Sequence, residues 1–465
     1  MKYPFAILVW CLSLLLACKE EVPSEPSLLP EASEELLGGQ TTIFDQSRNA
    51  FGFQAPGVNG HDELLFFVGN SFFNQNWVTS PASTTARDGL GPFFNARSCA
   101  ACHFKDGRGQ PPTSSGAIAE GLLLRLSIPG TGPRGEPLPE PNYGDQLQDQ
   151  SVLEAPREGG YEIQYMEIPG SYPDGHSYSL RSPSYEFVEL AYGGMSPMVQ
   201  ISPRVGQQII GLGLLEAVPE ETILGMSDPD DTDNDGISGK PNLVWEVESQ
   251  SHVLGRFGWK ANQPSLLQQT AAAFHGDIGI TTPLFSEENC LPNRPCDSLP
   301  NGGNPEIPLD DLQKVVLYVS TLAVPARRNW EEQDVLKGKQ LFAQIGCTSC
   351  HIPELKTGTH ARFEALSHQT IRPYTDLLLH DMGEGLADNR PDFDASGQEW
   401  RTPPLWGIGL FPTVNGHSFY LHDGRARNLE EAILWHGGEA GASRRRFKEL
   451  SIIERNQVIQ FLESL

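Results

Sequence analysis

Two pentapeptides constrain this 465-residue chain more than anything else in it: Cys99-Ala-Ala-Cys102-His103 in "RSCAACHFKDGRG" and Cys347-Thr-Ser-Cys350-His351 in "IGCTSCHIPEL". Cysteines three apart suit a redox dithiol, half of a zinc site, or covalent attachment of haem c. The histidine that follows each pair separates these readings. A zinc site gathers four ligands per metal, and neither pair has a second CxxC or a paired His near it. Haem c uses all three residues: the thiols form thioethers to the two vinyl groups of one porphyrin, and the adjacent imidazole is placed to coordinate iron from one face. The spacing therefore predicts two covalent haems c, one on Cys99, Cys102 and His103 and one on Cys347, Cys350 and His351.

The other four cysteines have simpler readings. The first residues, "MKYPFAILVWCLSLLLACKEE", hold one Lys, an apolar run of about 13 residues that includes Cys11, and Ala17 before Cys18; this is too short to span a bilayer and predicts an export signal over 1–17. Its ending "LLAC" resembles a bacterial lipobox, which makes Cys18 the expected lipid anchor of a periplasmic lipoprotein, with 18–44 as a flexible acidic tether. Cys290 and Cys296, in the polar loop "NCLPNRPC" of an exported chain, predict a small disulfide. A formal net charge of −26 argues against nucleic acid, whose phosphates need a basic surface. A basic protein partner suits it better.

The length allows roughly two to four domains, and 47 Gly with 37 Pro suggest irregular connections and few long strands. Before the second motif, Val335, Leu336, Gly338, Leu341, Phe342 and Ile345 recur at helical spacing, with Asp334 as a cap. The chain ends in another amphipathic stripe, Ile452, Val458, Phe461, Leu462 and Leu465. These resemble the entry and closing helices that cross in cytochrome c domains, and Gly338 lets the two backbones approach. A sibling of the closing helix, "PLDDLQKVVLYVSTLAVP", is capped near Asp310 and stopped by Pro325. The expected class is mainly α: two cytochrome c-like haem domains, 45–328 with long irregular insertions and 329–465. "RTPPLWGIGL" at 401–410 also echoes "RVGQQIIGLGL" from 204, as two halves of one plan would.

With "PASTTARDGLGPFFNARSCAACHFKDGRG", "GLGLLEA", "GRFGWKAN" and "EWRTPPLWGIGL", nearly all of 45–465 resembles the di-haem oxidoreductase branch of the bacterial di-haem cytochrome c peroxidase superfamily. In that family a Met fourteen residues after the His of "HDG" ligates the electron-transfer haem; here His436 stands fourteen residues after His422. The resemblance thus implies ligation of the second haem by His351 and His436, with Met382 as the rival ligand, and a lower potential than a His/Met pair gives. It also implies that Trp259 lies between the haems and that Gln269, ten residues on, belongs to the distal side of the first haem. The family's catalytic Glu is missing, because position 279 is Gly; Asp277 is the substitute acid, with His275 partnering it or capping the iron. Glu216, Met195 and Met198 are further candidates near the first haem.

"DPDDTDNDGISGKPN", within 228–242, carries Asp231, Asp233, Asp235 and Gly236 in DxDxDG spacing, which suits calcium, although Asn242 stands where an EF-hand has Glu. The expected function is hydrogen peroxide reduction at the first haem, with electrons from a soluble donor, a basic cytochrome or cupredoxin, relayed through the second. The competing expectation is an electron-transfer cytochrome without peroxidase activity, serving iron acquisition or a respiratory chain. A third, oxidation of a partner protein's side chain, lacks the Tyr it needs where His436 stands.

Overall fold

The computed structural model describes residues 28–113 and 121–465; the expected export signal, Cys18 and the first part of the tether lie outside the described residues. Residues 28–44, expected to be flexible, are packed onto the body. Leu37 is fully buried, and Glu34 pairs with Arg327 and, at 3.0 Å, with Lys339.

Each half is organised by a helix crossing at a glycine. In the first, α1 (His61–Asn74) packs on α3 (Leu309–Thr321); in the second, α4 (Gln333–Gln344) packs on α6 (Ile452–Ser464). A Cβ at Gly69 would fall on the carbonyl oxygen of Lys314, and one at Gly338 on that of Gln457, so both crossings need a residue without a side chain. The expected stripe of α4 is buried through Val335, Leu336, Leu341 and Phe342, and that of α6 through Val458, Phe461 and Leu462. Asp310 and Asp334 are not caps but sit in the first turns of α3 and α4, where Asp310 holds Lys314 and Asp334 accepts from Gln457. Ser451 and Glu454 form a capping box on α6.

The expected mainly α class is corrected by the long insertion in the first half: the chain is 27% helix and 19% strand, spread over several small sheets. Strand β1 (Leu122–Thr131) pairs with β4 (Gln200–Val205), and β2 (Gly160–Ser171) with β3 (Ser177–Val188), in antiparallel register. The β2–β3 hairpin follows from the alternation of "YEIQYMEI" and the turn Tyr172-Pro173-Asp174-Gly175, closed by Gly175 at φ +89°. Composition underrates these strands, because they tolerate Gly and Pro within them, Pro129, Pro169, Pro183 and Pro203 among them. The hairpin reaches across to the second half. Tyr172 donates to Glu430 at 2.6 Å, Arg455 stacks 3.8 Å from the Tyr172 ring centroid and pairs with Asp174 at 2.7 Å, and Arg427 pairs with Glu167 at 2.9 Å. One loop carries the expected Cys290–Cys296 disulfide.

Candidate haem sites

Each CxxCH segment lies on a short helical turn in the wall of its own cavity, of about 220 Å³ in the first half and about 190 Å³ in the second. None of the four cysteines is in a disulfide. Burial pushes the Cys99 and Cys347 thiols up to about 12, the opposite of the depressed value a redox-active dithiol needs.

The histidines share one arrangement. His103 Nδ1 lies 2.6 Å from the Gln207 carbonyl oxygen, and His351 Nδ1 lies 3.0 Å from that of Tyr374. A carbonyl only accepts, so Nδ1 carries the proton and Nε2 keeps its lone pair. The setting is repeated as well: Phe73 of α1 lies 6.2 Å from the His103 ring, and Phe342 of α4 lies 6.0 Å from that of His351. Burial lowers both imidazole pKa values, that of His351 to about 4, which keeps them neutral as iron ligation requires.

His436 lines the second cavity together with His351. It follows helix α5 (Leu429–Trp435), whose N-terminus is capped by the Asn428 side chain accepting from Glu431. Its Nδ1 donates to Ala432 O at 2.7 Å, which leaves Nε2 free, and burial lowers its pKa too. Met382 lines the same cavity. Beside Cys350 is a residue that sequence reasoning missed: His380 is clamped between Asp376 Oδ2 at 2.8 Å and Glu439 Oε2 at 2.7 Å. Burial works against its charge, but hydrogen bonds to Asp376, Cys350 and Glu439 outweigh it and push the imidazole up to about 12. Asp376, four residues earlier, was a signal that could have found it; Glu439 was not.

Helix α2 (Leu266–Ala273), capped by the Ser265 side chain, supplies Gln269 to the first cavity, and the turn after it supplies Asp277. Trp259, Gln269 and Asp277 therefore meet in the wall that holds Cys99, Cys102 and His103. Asp277 Oδ1 accepts from Gln146 Nε2 at 3.0 Å, and burial raises its pKa, partly offset by Arg125. Arg125 and Arg204 also line this cavity, paired with Asp145 at 2.7 Å and Asp392 at 2.9 Å. His275 is not brought in: its Nε2 bonds the Glu287 carbonyl at 3.0 Å and its ring packs on Phe285. Glu216 instead accepts from the Leu266 amide at 2.8 Å, Met195 packs on the cluster around Tyr143, and Met198 is exposed. Among the described residues, the lining of the first cavity holds no His besides His103, and no Met or Tyr.

Trp259, Arg401, Gln208 and Pro404 line both cavities. The Trp259 indole donates to Val205 O at 2.8 Å, and the guanidinium of Arg108 lies 5.1 Å from its ring centroid. The acidic loop adjoins the second cavity through Ile237 and through Ser238, which donates to Glu439 at 2.6 Å. The carboxylates of Asp228, Asp231 and Asp233 lie within 4.8 Å of one another. Asp235 is outside that group and accepts from Ile237 N, while Asn242 is committed to Lys260 O and Asp392 O.

The residues present fit two haems: each cavity has two thiols outside any disulfide beside a neutral imidazole whose Nδ1 is tied to a backbone carbonyl. No curated protein matches the chain. The family model described as "Di-haem oxidoreductase, putative peroxidase", a description that implies two haems, matches residues 32–465. The chain belongs to this di-haem oxidoreductase family.

Proposed function

We propose that this chain is an exported di-haem cytochrome c that reduces hydrogen peroxide at the first haem with electrons entering through the second. The observation that carries the proposal is the asymmetry of the cavities. The second is lined by four histidines, of which His351 and His436 each have Nδ1 tied to a carbonyl, His380 is held by two carboxylates and His422 is stacked on Trp400, whereas the first offers only His103 and sets Asp277, Gln269 and Arg125 in the remaining wall. A c-type haem on each CxxCH would supply an electron-accepting iron, with a position for an oxygen ligand where only one imidazole binds.

The overall reaction, H₂O₂ with two electrons and two protons giving two waters, needs a group that delivers protons to oxygen. Asp277, held by Gln146 and raised in pKa by burial, suits that role. Gln269 and Arg125 would orient the peroxide, and Trp259, in the wall of both cavities, would stand in the electron path. His436 would hold the second haem together with His351, so that site would relay electrons and bind no substrate. The donor is a soluble protein, a basic cytochrome or cupredoxin suited to the chain's acidic charge; Cys18 anchors the protein as a periplasmic lipoprotein; the Asp228–Asp231–Asp233 loop takes calcium.

The test combines resonance Raman spectroscopy of the oxidised and half-reduced protein with peroxide turnover. One six-coordinate low-spin haem, one haem that binds cyanide, and peroxide consumption with a reduced donor are expected. Two closed low-spin haems in every redox state, without turnover, would leave the electron-carrier function instead.

A further inference from the structure

Arg401 stands where the two cavities meet, in the wall of both. It is 4% exposed, and its position is fixed from three sides. Its amide donates to Trp259 O at 2.9 Å, its Nε to Gly258 O at 2.9 Å and its Nη1 to Thr402 O at 3.2 Å. The other buried arginines are compensated. Arg204 and Arg390 share Asp392, Arg425 has Asp423, Arg455 has Asp174, Arg294 has Glu158 and Arg327 has Glu34. Arg108 and Arg181 lie over aromatic rings, Trp259 and Tyr165 respectively. Among the described residues, Arg401 is the buried arginine with neither a carboxylate at ion-pair distance nor an aromatic face against it.

A buried guanidinium left with carbonyl acceptors is costly unless an anion completes the site. The two cavities are the places from which such an anion could come, and a porphyrin carries carboxylates. We propose that Arg401 is a shared counter-charge to both haems and raises both of their reduction potentials. The proposal rests on the two-haem reading above. In the first cavity Arg125 and Arg204 are neutralised by their own aspartates, so Arg401 is the arginine there without an ion-pair partner; in the second it stands with Arg108 and Arg444, and the charge of Asp376 reaches it only from beyond ion-pair distance. A fixed cation beside each haem favours the state with less positive charge, which is the reduced one. Arg401 is a positioning residue, since it acts on the potentials and touches no reacting oxygen.

The experiment is a potentiometric titration followed by visible absorption, on the full protein matured with both haems. In R401Q both midpoint potentials should move negative. In R401K, which keeps the charge but shifts it on a different side chain, both should move in the same direction by less. R445Q, at an exposed arginine outside both walls, should move neither. If R401Q fails to mature, R401K is read by the same criterion. Potentials equal to the parent's, or a shift confined to one haem, overturn the proposal. A parent protein without a Soret band would instead overturn the two-haem reading itself.

Discussion

At the scale of single residues, His436 and Asp106 make separable predictions. His436 shares the neutral, Nε2-free arrangement of His351 and lines the same cavity, so it suits the second axial position of that haem. H436M would place a thioether at this position, and sulfur favours ferrous iron. The expected result is a more positive potential for the second haem with the first haem's spectrum unchanged; an unaltered second haem would return the ligand role to Met382. Asp106 is buried and accepts from Tyr318 Oη at 2.6 Å, and burial pushes its carboxyl from 3.8 up to about 6. A folded-state value above the unfolded one means that its stabilising contribution is complete below about pH 4 and is lost as pH rises through about 6. D106N keeps an acceptor for Tyr318 without the charge. It should therefore exceed the parent in stability by roughly 1–3 kcal/mol near pH 7.5 and match it near pH 4. Equal differences at both pH values in thermal melts would discard this account.

Helices and strands differ in how openly they were written. The CxxCH turns were legible because covalent chemistry demands a fixed spacing, and α4 and α6 were legible because a stripe at 3.6-residue spacing has few other uses. The equivalent crossing in the first half went unseen, since α1 lies far ahead of Cys99 and Gly69 looks like any other glycine in an apolar run. The β2–β3 hairpin was legible in alternation and turn chemistry but was masked by whole-chain composition. His380 was legible only through Asp376, four residues before it, and Arg401 not at all: the rest of their roles arises from Glu439, fifty-nine residues away from His380, and from two cavities that meet only in the folded chain. The crossings yield a direct test. G338A drives a methyl into the Gln457 carbonyl, and G69A into that of Lys314. Each should cost about 3 kcal/mol, read as a lower denaturation midpoint. G194A, at a glycine with open space around it and no positive φ, should cost under about 1 kcal/mol. Similar midpoints for all three would mean that the helices separate to accommodate a methyl.

Across the whole molecule, the halves carry like attachment sites in unlike surroundings, and the hairpin and the Trp259–Arg401 wall join them. This arrangement predicts that the haems are separable in occupancy but not in function. C347S/C350S removes the thiols of the second site without touching the first wall, and should give a protein one haem lighter by mass whose remaining iron binds cyanide. C99S/C102S should also lose one haem, leaving a low-spin iron closed by His351 and His436 that ignores cyanide. Neither variant should turn over peroxide with a protein donor, because one lacks the entry for electrons and the other the place where they are used. If C99S/C102S still bound cyanide, or if C347S/C350S still accepted electrons from the donor at the parent's rate, the division of labour between the cavities would be wrong even with both haems correctly placed.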